Sequence, residues 1–82
     1  MNYIFGVEFK AKHPELVGGI LVIVAAVTRA EAVDIAVAYV NSGKLYANRV
    51  EYKGTGARSL QAVTEHEHGV ITVYDFLHRC KR

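Results

Sequence analysis

Eighty-two residues, 51% of them hydrophobic, make a single compact domain, 1–82, with a small core, and exclude a disordered chain. Ten Lys and Arg against eight Asp and Glu leave a formal charge of +2, too balanced to demand a polyanionic partner. One cysteine, Cys80, excludes an internal disulfide and makes a reducing, cytoplasmic setting the simplest expectation.

Asn2 to Lys10 alternates. Tyr3, Phe5, Val7 and Phe9 face one way, and Gly6, Glu8 and Lys10 the other, with Ile4 as the exception. That pattern predicts a half-buried strand donating aromatics to the core. Lys12-His13-Pro14-Glu15 predicts a turn, because Pro14 has no amide donor and holds His13 extended. The link to the next strand is short enough for antiparallel pairing.

Gly18-Gly19 opens an unbroken apolar run from Ile20 to Val27. Ile20, Val22, Val24 and Ala26 share one face of the predicted strand, and Leu21, Ile23, Ala25 and Val27 the other, so both faces need cover. A membrane span needs roughly 20 apolar residues, and Arg29, Glu31 and Asp34 arrive too soon for that. Glu8, Lys10, Lys12 and Glu15 precede the run without the basic-then-apolar order of a signal peptide.

Thr28 and Glu31 have the spacing of a capping box, which predicts a helix from Thr28 onward. Ser42-Gly43 supplies the stop, with Gly43 expected in the left-handed conformation. At about 100° per residue, Glu31, Asp34, Ala38 and Asn41 share one narrow stripe. Ala30, Ala32, Val33, Ile35, Ala36, Val37, Tyr39 and Val40 occupy the rest, a wider apolar arc than a surface helix ordinarily buries.

Leu45 to Lys53 alternates again, with Tyr46, Asn48, Val50 and Tyr52 on one side and Arg49, Glu51 and Lys53 on the other. Gly54-Thr55-Gly56 predicts a turn. Ser59 to Glu65 fits one turn of helix or a short strand. The strand is preferred, because Glu65 to Gly69 then makes a hairpin loop into Val70–Leu77, rich in β-branched and aromatic residues. The polar, basic tail His78-Arg79-Cys80-Lys81-Arg82 is expected to fray.

The order is β-β-α-β-β-β: an α+β domain with an antiparallel sheet of four to five strands and one helix packed on a face. A single helix covers a single face. The central strand's second face and the Ile35–Tyr39 flank of the helix therefore call for cover, from a two-fold homodimer or another partner, unless the sheet curls under its own termini.

Glu65-His66-Glu67-His68 and His78-x-Cys80 have residue types that bind zinc. A hairpin separates the two groups by roughly 25 Å at about 3.3 Å per residue, so no metal site and no cofactor is expected. Cys80 lies in the tail without a base held beside it, and Glu8, Glu51 and Asp75 have lysines and arginines nearby, so no enzyme activity is expected. Lys53-Gly54-Thr55-Gly56-Ala57-Arg58 lacks the spacing of a phosphate loop and leads into no helix. Arg49, Lys53 and Arg58, with Tyr46 and Tyr52, are able to present cations and stacking rings along one hairpin, extended by Lys10, Lys12, Lys81 and Arg82. The same residue types are enriched in protein-binding hot spots.

The apolar run leading into Thr28-Arg29-Ala30-Glu31-Ala32-Val33-Asp34-Ile35-Ala36, followed by predicted hairpins, resembles the architecture of small phage-encoded inhibitors of the anti-CRISPR type. The resemblance implies a non-enzymatic protein-interaction module that blocks a surface of a larger host protein or nucleoprotein complex in the host cytoplasm. The partner-binding residues expected are Arg49, Arg58, Tyr46, Tyr52 and Lys53, and those for self-association are Ile35 and Tyr39. The alternative is a small basic nucleic-acid-binding protein using the same hairpin.

Overall fold

The structure, a computed structural model, describes residues 1–43 and 45–79, the side chains of 61 and 62 excepted. The elements are β1 (Asn2–Ala11), β2 (Leu16–Val17), β3 (Gly19–Ala26), α1 (Arg29–Ser42), β4 (Val50–Thr64), β5 (Gly69–Asp75) and β6 (His78–Arg79). An antiparallel four-stranded sheet has the order β4-β1-β3-β5, and β2 pairs with β6 in a separate two-stranded ribbon. Helix α1 lies across one face and touches all four strands, so the domain is α+β with one helix on an antiparallel sheet.

The two apolar strands sit side by side at the centre. β1 and β3 pair from Tyr3↔Ala26 to Lys10↔Gly19, and the register sets Phe5, Val7 and Phe9 beside Val24, Val22 and Ile20. These six residues are buried under Ala32, Ala36 and Val40 of the helix. The alanines let the helix backbone come close, and Val33, Ile35 and Val37 widen the contact on either side. Tyr3, at the beginning of the strand, lies exposed, and so does Val27.

The helix starts where the capping box places it. Thr28 Oγ1 accepts from the Glu31 amide at 3.2 Å. The Glu31 carboxylate reaches back to the Val27 amide, one residue before the expected Thr28 amide, and also pairs with His68. The helix ends differently from expectation. Gly43 is extended, with φ −86, and its amide donates to the Tyr39 carbonyl at 3.2 Å, so the last turn closes without a left-handed residue.

The second half corrects the sequence reading in three places. Residues 45–49 form a turn, not a strand, closed by Arg49 and Val50 amides donating to the Tyr46 carbonyl. Gly54-Thr55-Gly56 is not a turn between strands but a bulge inside β4, which joins the two expected strands into one of 15 residues. Tyr52 pairs with Phe9 and Ala57 with Val7, so residues 53–56 loop out opposite Glu8 alone. Positive φ at Gly54 (79°) and Gly56 (78°) supplies the backbone reversal. A turn and a bulge draw on the same glycines, and β1 is long enough to pair on both sides of this one. Thirdly, His78 and Arg79 do not fray, because they pair with Val17 and Leu16. Cys80, Lys81 and Arg82 lie outside the described residues. Among the described residues no helix is long and apolar enough to cross a membrane.

Candidate binding face

The face of the sheet away from α1 carries the site. Side chains alternate across a strand, so burial of Val7, Phe9, Ile20 and Val22 under the helix sends Gly6, Glu8, Leu21 and Ile23 to the other side. Lys53 and Arg58, on opposite sides of the bulge, join them from β4, together with Leu60. The result is a groove of about 440 Å³ with Leu21 and Ile23 in its floor, Leu60 and Phe76 in its walls, and Lys53 and Arg58 among its charged lining. Leu60 is 46% and Phe76 60% exposed, and Tyr74, opposite Leu21 on β5, adds another exposed ring to this face.

Phe76 is held out over the groove by its backbone. Its amide donates to the Gly19 carbonyl at 2.9 Å, while its own carbonyl lies against Gly18 and 3.0 Å from His78 Nδ1. Just before it, Asp75 Oδ1 accepts from the Leu77 amide at 2.9 Å, a tight local turn that sends Leu77 towards the core and leaves Phe76 outside. The other carboxylate oxygen accepts from the Tyr46 hydroxyl at 3.0 Å. Burial pushes that hydroxyl above the usual tyrosine range, and its bond to the Asp75 carboxylate and the carboxylate's charge push in the same direction.

Charges around the groove are partly neutralised. Lys53 Nζ lies 3.2 Å from Glu8, and Lys10 Nζ 3.5 Å from Glu51. Both pairs are substantially exposed, so each is worth at most about 1 kcal/mol. Arg58, among the described residues, makes no ion pair. It is the cation on this face most available to a ligand.

Comparison with protein families, with characterised proteins and with solved structures finds no match to this chain. The site therefore stands on its geometry. That geometry separates the residues expected to act together. Tyr46 is buried at 8% exposure, with little ring left to stack on, and Tyr52 is half-buried, its ring in a T-shaped contact with Phe9 at 6.0 Å. Arg49 lines a different concavity, with His13, Glu15, Leu16 and Arg79. Lys53 and Arg58 do come together, across the bulge instead of along a hairpin. Of the self-association pair, Ile35 packs against the core, and Tyr39 stands 41% exposed on the outer side of the helix.

His66 and His68 occupy the loop between β4 and β5, near Asn2 and Glu31, while His78 lies by Gly18 at the other end of β5. Among the described residues no three of His, Cys, Asp or Glu are grouped to hold a metal. Leu60 and Phe76 are the groove residues that sequence reasoning did not single out. Leu60 lies in a segment with no settled period, and Phe76 continues the alternation that leaves Tyr74 outside while Val73 and Leu77 turn to the core.

Proposed function

We propose that this chain is a small non-enzymatic protein-interaction module that receives its partner in the groove on the sheet's uncovered face. The observation that carries the reading is the groove itself: exposed Leu60 and Phe76 over an apolar floor, with Arg58 at its margin. An aromatic and an arginine beside a desolvated aliphatic floor is the composition from which binding hot spots are built. The helix covers the opposite face, and on this one Ile23 and Ala25 are buried while Leu60, Tyr74 and Phe76 leave exposed apolar area for contact.

The mode of action we propose is occlusion. A rigid domain seated on a larger host protein or nucleoprotein complex blocks what that surface does, as the resemblance to anti-CRISPR inhibitors implies. Tagged protein should capture the same partner from a host lysate in repeated trials and lose it on Phe76→Ser or Leu60→Ser, with the circular-dichroism spectrum unchanged. Equal capture by both variants would remove the groove from the reading. Failure to restore phage growth in a host with active CRISPR immunity would remove the inhibitor role and leave the module. Occupation of the groove by a second copy is read separately: sedimentation equilibrium would then give a concentration-dependent mass above 9.1 kDa, abolished by the same substitutions.

A further inference from the structure

We infer that the bulge of β4 and three cations around it form a binding site for a phosphate group. Gly54, Thr55 and Gly56 have no register partner on β1, and β4 is an edge of the sheet, so no strand lies on their other side among the described residues. Both glycines have positive φ, and a Cβ added at Gly54 would meet nothing within 4 Å. Crowding therefore does not explain the glycines there. Backbone conformation does: left-handed glycines on either side of Thr55 are the kind of residue from which the anion-binding concavities of peptide backbone are built.

The side chains agree with the backbone. Arg29, Lys53 and Arg58 line one concavity with Thr55 and Gly56. Arg29 comes from the first turn of α1 and Lys53 and Arg58 from β4, so the fold brings two separate stretches of sequence to one concavity. Among the described residues Glu8 is the one acid lining it, and Lys53 engages Glu8 at 3.2 Å, while Arg29 and Arg58 make no ion pair. A guanidinium binds phosphate oxygens in pairs. Thr55, which also lines it, carries a neutral donor. This concavity shares Glu8, Lys53 and Arg58 with the apolar groove but none of its hydrophobic residues, so its ligand is polar and anionic where the groove's is not.

The chemistry fits a free phosphate or the backbone of a single nucleic-acid strand, and the test separates them. The 15N-labelled chain is titrated with pyrophosphate and with an eight-nucleotide thymidine strand, following the Gly54, Thr55 and Gly56 amide resonances. Saturable shifts at those amides are expected, with affinity at least tenfold weaker in Arg29→Ala/Arg58→Ala and unchanged in Phe76→Ser. Tighter binding of the strand, with a salt dependence that falls as each arginine is removed, assigns the site to nucleic acid; tighter binding of pyrophosphate assigns it to the free ion. No saturable shift with either probe, or equal affinity in the double variant, overturns the proposal. Because the two sites share Lys53 and Arg58, Phe76→Ser, at a residue that lines only the groove, tells loss of the groove from loss of the phosphate site.

Discussion

The Tyr46 hydroxyl and the Asp75 carboxylate meet at 3.0 Å, joining the turn that follows the helix to the last strand of the main sheet. Because the second Asp75 oxygen holds the Leu77 amide, one carboxylate links the buried tyrosine to the turn that presents Phe76. Tyr46→Phe should cost about 1.5–3 kcal/mol at neutral pH, the range for a hydrogen bond to a charged group. Asp75→Ala should cost at least as much and also reduce partner capture, since it releases the turn before Phe76. Urea midpoints with a parallel binding assay would check both, and an Asp75→Ala protein with undiminished capture would refute the coupling.

The same pair predicts behaviour in alkali. The folded-state value of Tyr46 is raised, chiefly by burial and then by Asp75. An unfolded tyrosine loses its proton near pH 10, whereas the folded one resists. The contribution is therefore fully present below about pH 10 and is lost as pH rises from there through the folded value. Unfolding of wild type and Tyr46→Phe between pH 7 and 11 should show their stability difference shrinking only above pH 10. A difference that stays constant across the range would mean that the hydroxyl is not held protonated by the fold.

The helix cap offers a cleaner number. Thr28 Oγ1 satisfies the Glu31 amide, so Thr28→Ala should lower stability by about 1 kcal/mol. Thr28→Ser should retain most of it. Equal midpoints for wild type and the alanine variant would place the start of the helix elsewhere.

Two glycines with similar φ should respond unequally to alanine. At Gly54, φ is +79 and the space around a Cβ is open, so only the conformational cost of about 1–2 kcal/mol applies. At Gly18, φ is +84 and a Cβ would stand 2.3 Å from the Phe76 carbonyl oxygen, so backbone must also move. Gly18→Ala should be the more destabilising of the two and should disturb Phe76. The reverse order in thermal melts would argue against the close approach.

Much of this arrangement is legible in the sequence where local periodicity and tertiary packing agree. Phe5, Val7 and Phe9 alternate into the core, Ile20 to Ala26 is the central strand, and Thr28 caps the helix as its spacing with Glu31 requires. Legibility ends where one residue type serves two purposes. Gly54 and Gly56 read as a hairpin turn because turns and bulges both need positive φ, and only the length of β1 decides between them. Tyr46 alternates with Val50 and Tyr52 as a strand residue should, yet it is buried from a turn, anchored by Asp75 29 residues later. The groove is half legible: alternation sets Leu21, Ile23 and Phe76 on the face away from the helix, while Lys53 and Arg58 meet there through the bulge of β4, a long-range outcome of its pairing with β1.

The strand order β4-β1-β3-β5 also sets a timetable for a chain made from its N-terminus. β1 gains its inner neighbour once Ala26 has been added, but its outer neighbour is not complete until Thr64. At about 5–20 residues per second of synthesis, the wait is roughly 2–8 s. During that interval a long, largely apolar strand has an open side, and the helix that covers its face is itself still being made. Shelter of that side by the ribosome surface or a holding chaperone would be needed most between those two residues, and translation pauses placed there would lower the yield of folded protein.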